Sequence, residues 1–309
     1  MSSNAHVPVL LGPVLQGLKI RPDGCYVDGT FGRGGHSKEI LKQLGDAGRL
    51  IAIDRDPQAI AAAPASLTED PRFELIRGEI AQLETFIGER GLAGKVDGLL
   101  FDLGVSSPQL DEADRGFSFM RDGPLDMRMD PDSGRSASEW LASVDEQELK
   151  HVLRKYGEET SASRIARAIV NAREEAPISR TAQLARIIED AAPKRGQKKH
   201  PATKTFQAIR IAINGELEQL EAVLEQSVNV MRKKARLCVI SFHSLEDRIV
   251  KRFMRDASRE PEQYRGMPNV PEEYQPKLRT VGKAVSATDE EVDANRRARS
   301  AHLRIAERT

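Results

Sequence analysis

Apolar residues in the first hundred positions fall into four short runs separated by helical patterns. Cys25-Tyr26-Val27, Arg49-Leu50-Ile51-Ala52-Ile53, Phe73-Glu74-Leu75-Ile76 and the run from Val96 to Gly104 read as strands. Between them, Ile40, Leu41 and Leu44 share one side of a helical pattern, Gln58 to Ala63 is Ala-rich, and Gln82 to Arg90 is helical in period. An amphipathic segment reaching Leu18 precedes the first strand. Strands that alternate with helices at this rhythm predict a parallel, doubly wound sheet with right-handed crossovers.

After Val105 the alternation stops. An irregular stretch, Arg115 to Asp130, carries three Met and two Phe. Four helical patterns follow, near Ala137–Leu153, Glu158–Arg173, Thr181–Ala191 and Thr203–Met231, and nothing between Ser106 and Lys234 patterns as a strand. The sheet is expected to resume at Arg236–Phe242, followed by a helix from Ser244 to Met254 with Leu245, Ile249, Val250 and Phe253 on its apolar side. Ser258 to Pro276, rich in Pro and charge, reads as a mobile surface loop. Leu278–Val281 and Ala301–Ile305 read as a closing, hairpin-like pair. The fold class expected is α/β, a Rossmann-like and mostly parallel sheet with an inserted all-helical domain. Its boundaries are placed at residues 1–110, 111–215 and 216–309, the middle piece serving substrate recognition.

The chemistry gathers at the ends of the strands. Asp28-Gly29-Thr30-Phe31-Gly32-Arg33-Gly34-Gly35-His36-Ser37 is a glycine-rich turn between strand and helix, where backbone approaches a ligand closely. Asp54, at the tip of the second strand, is placed to accept both hydroxyls of a ribose. A dinucleotide fingerprint wants G-x-G-x-x-G, and Ser37 stands where the third Gly belongs. S-adenosylmethionine, an adenosine with an amino-acid tail and no phosphate, suits such a loop; a nicotinamide oxidoreductase and a tight turn without a ligand are the rival readings.

Asp102 closes the fourth strand and Ser106-Ser107-Pro108-Gln109 follows it. This loop loosely resembles the Ser/Asp-Pro-Pro-aromatic loop with which amino-methyltransferases hold an exocyclic amine. Acceptors there localise the amine's lone pair and aim it at a methyl donor. Gln109 replaces the aromatic, so a stacking partner must come from Phe117, Phe119, Phe242 or His243. An ordinary capped turn is the other reading of Ser106–Gln109. His243, just past the fifth strand, either contacts the target base or is bonded into local structure. Asp102, Ser106, Ser107, Pro108 and His243 are the catalytic candidates.

Composition adds limits. Length, 309 residues, suits two domains, and 47 Lys and Arg balance 47 Asp and Glu, so any polyanion site must come from local clustering. Lys194, Arg195, Lys198, Lys199 and Lys204 lie in a stretch, Lys194 to Arg210, without an acidic residue. It reads equally as a phosphate track or as a solvated loop and helix start. Cys25 and Cys238 sit in strand-like runs and read as buried structural thiols of a reducing cytosol. Trp140 and the Met residues of Met120–Met129 read as packing groups. Asp28, Asp54 and Asp102 lack the spacing of a tight metal site, and no metal is expected. No apolar run is long enough to span a bilayer and the first residues lack a signal pattern, so a cytoplasmic protein is expected.

Several blocks resemble the RsmH (MraW) family of ribosomal RNA methyltransferases: the glycine turn, Asp102–Gln109, Arg115-Gly116-Phe117-Ser118-Phe119, His200–Ala208, Ser241–Arg248 and Leu303–Ala306. The resemblance spans nearly the whole chain. It implies a class I methyltransferase fold and transfer of a methyl group from S-adenosylmethionine to N4 of the decoding-centre cytosine 1402 of 16S rRNA. Family cofactor contacts carried over fall on Gly34, Gly35, His36, Asp54, Ile80, Asp102 and Gln109. Ile80 replaces a Phe of some relatives, and Lys204 stands where Arg is common. The implied partner is 16S rRNA or the small ribosomal subunit, with no membrane and no obligate protein partner; the oligomeric state, a homodimer included, stays open. A single-stranded or flipped cytosine is expected to enter a cleft between the two domains, and no strongly perturbed general base is required. A non-catalytic ribosome-assembly factor is a third reading. Reversing charge at Lys198 and Lys199 should weaken rRNA binding and flatten its salt dependence; affinities measured at two salt concentrations check this, and equal values would reject it.

Overall fold

The structure, a computed structural model, describes residues 8–192, 200–260, 262–264, 271 and 274–309. Two compact units form: Met1–Gly104 with Leu217–Thr309, and Val105–Glu216. The first junction falls at Gly104, ahead of the expected boundary after residue 110.

In chain order the elements are α1 (Leu11–Leu18), β1 (Cys25–Asp28), α2 (Gly35–Leu41), β2 (Arg49–Asp54), α3 (Pro57–Ala61), α4 (Ala65–Thr68), β3 (Phe73–Arg77), α5 (Leu83–Glu89) and β4 (Val96–Asp102). The second unit holds α6 (Ser107–Asp111), α7 (Ala137–Ser143), α8 (Glu146–Gly157), α9 (Ala162–Glu175), α10 (Thr181–Ala191) and α11 (Ala202–Asn214). The first unit resumes with α12 (Glu216–Val230), β5 (Met231–Ser241), α13 (Ser244–Ala257), β6 (Leu278–Thr280), β7 (Val285–Ser286), α14 (Asp289–Ala294) and β8 (His302–Arg308).

The strands form one sheet in the order β3-β2-β1-β4-β5-β8-β6, with β7 also on β8. β1 to β5 are parallel, and β8 runs antiparallel to β5 and β6. Strand order reverses between β1 and β4, so the tips of these two strands flank the crevice where open α/β sheets bind ligands. Period-two burial divides the core. Val27, Ile51, Ile53, Leu99 and Phe101 pack beneath α5, α12 and α13. Tyr26, Leu50, Ala52, Leu100 and Ile240 pack against α1 and α2 on the opposite face. Each fully buried aliphatic side chain contributes about 1.5–3 kcal/mol over its exposed state.

Three expectations are corrected. β5 starts at Met231, inside the stretch read as free of strand; its exposed Lys233 and Lys234, with Lys234 at φ +68, form a bulge that breaks the alternation. The closing pair forms, β6 antiparallel to β8, but no tight turn joins it: β7 and α14 lie on the connection, and β8 also pairs with β5 on its other side. Ala137–Leu153 and Thr203–Met231 each divide in two. Asp145 accepts from the N–H groups of Gln147 (2.8 Å) and Glu148 (2.9 Å) and starts α8 afresh. Gly215, at φ +57, ends α11, and Arg210 makes a bidentate pair with Glu216 across that corner at 2.8 and 2.7 Å.

Within the second unit, Asn214 clamps the irregular stretch before α7. Its Oδ1 accepts from the Met129 N–H at 2.8 Å and its Nδ2 donates to the Met127 carbonyl at 2.7 Å. The buried Arg115 donates to the carbonyls of Arg128 and Met129 at 3.2 and 3.0 Å. Trp140 and Met127 are buried as packing groups, but Met120 is 80% exposed.

The glycine turn combines two constraints at Gly34. Its φ is +71, and a Cβ there would lie 2.7 Å from both Leu67 Cδ1 and the Phe31 ring. Gly32 has φ +56 but open space around it. Gly34→Ala should cost about 2–3 kcal/mol of stability, and Gly32→Ala about 1 kcal/mol. Urea unfolding midpoints at unchanged m-value measure the difference.

Candidate active site

Asp28 anchors the site. At the tip of β1 it is wholly buried; Oδ2 accepts from Ser37 Oγ at 2.7 Å and Oδ1 from the Thr30 N–H at 3.2 Å. Burial raises its pKa, against the pull of those two donors. Ser37 therefore does what a third glycine cannot: it ties the start of α2 to the end of β1. The turn is also strapped to both neighbouring strands. Phe31 N–H donates to the Ile53 carbonyl (3.0 Å), Gly29 N–H to the Leu100 carbonyl (2.9 Å), and Asp102 N–H to Thr30 Oγ1 (2.6 Å).

Asp54, ending β2, accepts one backbone N–H on each oxygen: Gly32 on Oδ2 at 2.7 Å and Asp56 on Oδ1 at 2.9 Å. Each oxygen keeps a second lone pair, enough for two ribose hydroxyls. Burial pushes its pKa up to about 6, with the charges of Asp56 and Asp28 adding to the rise. Ile80 is half-buried and packs on the core beside Leu83, an aliphatic surface at the tip of β3.

Asp102, ending β4, is the least satisfied group. Its Oδ1 is buried and has no hydrogen-bond partner among the described residues. Its Oδ2 lies 3.7 Å from His36 Nδ1. Burial pushes the pKa up to about 6; the charges of Asp28 and Glu246 push the same way and His36 opposes. His36 is buried, with Nε2 3.0 Å from the Val9 carbonyl. A carbonyl only accepts, so Nε2 carries the proton and Nδ1 is the atom turned to Asp102. Gly34, Gly35, His36, Asp54, Ile80 and Asp102 thus come together along one edge of the sheet.

His243 shows the local role. As N-cap of α13 its Nδ1 accepts from the Glu246 N–H at 3.4 Å, and Glu246 Oε2 accepts from the N–H groups of Phe242 (2.8 Å) and His243 (3.3 Å). Nε2 sits 3.0 Å from Glu246 Oε1, but out of line, so no hydrogen bond forms. Glu246 was missed by sequence reasoning. The signal was there, because His243-Ser-Leu-Glu246 has the spacing of a capping box.

In the second unit, Ser106-Ser107-Pro108-Gln109 is a capped turn opening α6: buried Gln109 accepts from the Ser106 N–H through Oε1 at 2.9 Å. Phe119 does not stand free for a base. It stacks on His200 with ring centroids 4.4 Å apart and meets Phe206 edge-on at 4.9 Å. Phe117 is buried under the Arg115 guanidinium. Lys204 is exposed, yet its Nζ donates to the Glu158 carbonyl at 2.9 Å, a cation at the C-terminus of α8. Lys194, Arg195, Lys198 and Lys199 lie outside the described residues, as does much of the expected loop 258–276.

With this geometry in hand, a profile of the MraW methylase family matches residues 3–309. The chain belongs to the MraW methylase family. Its fold is that of a class I S-adenosylmethionine-dependent methyltransferase, and S-adenosylmethionine is its cofactor. Solved structures similar to the chain include a putative rRNA methylase from Clostridium thermocellum, at 13% identity over 98% of this chain and 100% of that one, TM-score 0.46. An rRNA methylase from Streptococcus thermophilus matches at 11% over 98% and 99%, TM-score 0.42. A putative methyltransferase from Streptococcus mutans in complex with SAH matches at 10% over 98% and 100%, TM-score 0.40.

The residues fit the cofactor. S-adenosylmethionine carries a sulfonium and an ammonium, and the edge offers carboxylates whose charge is desolvated, one with an orphaned oxygen. Burial raises the pKa of Asp28, Asp54 and Asp102, so a cation bound beside them favours their ionised forms. The sign follows. A carboxyl with a folded pKa near 6, above its unfolded value, binds its proton more tightly folded than unfolded. Its stabilising contribution is complete below about pH 4 and is lost as pH rises through 6. A bound cation reverses that loss. Cofactor affinity should therefore rise with pH up to about 7, and binding at pH 6 should release roughly half a proton or more. Calorimetry in two buffers of different ionisation heat reads the release, which should fall in Asp102→Asn and vanish for the wild-type protein at pH 8.

Proposed function

We propose that this methyltransferase acts on N4 of a cytosine in small-subunit ribosomal RNA, cytosine 1402 of 16S rRNA in the decoding centre, giving N4-methylcytidine. Membership of the MraW methylase family supports the substrate. The observation that carries the chemistry is Asp102 Oδ1, a buried acceptor with no donor of its own among the described residues.

An exocyclic amine is a weak nucleophile, because its lone pair is drawn into the ring. An acceptor on one N4–H localises that pair, and the same carboxylate stabilises the positive charge that develops on nitrogen. The cofactor supplies the methyl group as an electrophile on sulfur. Asp102 accepts the amine's hydrogen bond in its ionised form, which predominates at neutral pH with a pKa near 6. A pKa this close to working pH also suits it to take the amine proton afterwards and pass it to water. That departs from the sequence expectation of a reaction needing no perturbed base. The cytosine must leave its stack, since N4 is engaged while paired.

Mass spectrometry of rRNA nucleosides from cells with and without the protein tests the reading. N4-methylcytidine at the decoding centre should disappear without it, and its persistence would sink the proposal. Labelled cofactor incubated with small subunits separates catalysis from an assembly role. Asp102→Asn should lower kcat about 100-fold or more and abolish the rise of kcat through pH 6, while the subunit still binds.

A further inference from the structure

The solvent face of α13 has no part in the chemistry above. Arg248, Lys251, Arg252 and Arg255 are all exposed, and at 3.6 residues per turn they fall within an arc of about 100°. The turn continues past the C-cap through the Arg259 N–H to the Asp256 carbonyl, which brings exposed Arg259 onto the same stripe. Away from this arc, Val250 and Met254 are buried against the sheet.

Acidic residues of the helix do not neutralise the stripe. Glu246 is buried in the cap, and Asp247 is held by Arg304 at 2.7 and 2.9 Å. Asp256 reaches it through Arg255 at 2.7 Å, and Arg248 has a partner of its own. The hydrogen bond from Arg255 holds the Asp256 carboxyl below the ordinary range, and Arg259 and Arg252 add to the effect, so three guanidinium groups converge on one carboxylate. Lys251, Arg252 and Arg259 make no ion pair among the described residues. Exposed Glu260 follows the turn. On a chain with no net charge, this one-sign stripe stands out.

We propose that the stripe Arg248–Lys251–Arg252–Arg255–Arg259 is a docking track for the phosphodiester backbone flanking the target nucleotide. This rests on the RNA substrate proposed above. Four of the five cations are Arg, whose planar fork suits phosphate oxygens. A membrane surface fits less well, because the helix has buried the apolar face that would enter lipid. Position supports RNA too. α13 leaves β5 at the edge that holds Asp102, and Glu246 in its cap is one of the charges acting on Asp102.

The test compares Arg252→Gln/Arg259→Gln with the control Lys95→Gln/Lys283→Gln, two exposed cations elsewhere in the same unit. The stripe variant should raise KM for small subunits about five- to tenfold near physiological salt, with kcat and S-adenosylhomocysteine affinity within twofold of wild type. Two lost phosphate contacts should also flatten the slope of log affinity against log salt for a single-stranded rRNA fragment by about 1.4. The control should leave both unchanged. A stripe variant indistinguishable from the control overturns the track even where methylation proceeds normally. Wild-type protein that binds the fragment with the full slope but methylates neither the fragment nor small subunits refutes the proposed activity and leaves the track standing. Stripe-dependent binding of vesicles containing phosphatidylserine, with none to RNA, overturns it as well.

Discussion

A buried carboxylate at the end of the first strand is the constraint on which this edge of the molecule depends. Asp28 is buried and, among the described residues, is held by Ser37 Oγ and the Thr30 N–H. An unpaired carboxylate in that position is costly, so the turn must close in one geometry to supply those donors. Closing it sends Thr30 Oγ1 to the Asp102 N–H and the Gly32 N–H to Asp54. Three strand tips are thereby tied through one loop of ten residues, Asp28 to Ser37.

The electrostatics that follow are unfavourable to the empty protein and favourable to its ligand. Asp54 and Asp102 are each raised to about 6 by burial first; neighbouring carboxylates add to the rise, and at Asp102 His36 opposes it. Such an arrangement persists where a positive group completes it. Glu246 extends the same logic into α13. It caps the helix by accepting from Phe242 and His243, and its charge reaches Asp102. The fold's last large helix therefore begins as part of the charged edge and continues as a cationic surface.

Much of the fold was legible because each of the first four strands carries its own apolar run and ends in a turn residue. The helices of α5 and α13 were equally plain, since their apolar positions recur at helical spacing. Boundaries failed where one residue's backbone geometry overrode the pattern: Asp145 and Gly215 interrupt apolar periods that continue past them, and Lys234 bulges a strand that its lysines disguise. At the site, the carboxylates at the tips were readable from position alone. His243, Gln109 and Lys204 were not, because a side chain that caps a helix and one that reaches for a substrate have the same sequence signature.

Local order along the chain determined the alternation of strand and helix, the glycine turn, the acidic strand ends and the break into a helical unit after Asp102. These follow from periodicity and from residue types that only a few backbone geometries accept. Tertiary structure decided which carboxylates lose their water, which oxygen is left without a donor, and that β8 threads between β5 and β6. Desolvation and strand pairing depend on residues brought near by the whole fold, some of them two hundred positions apart, and no local window of sequence contains them.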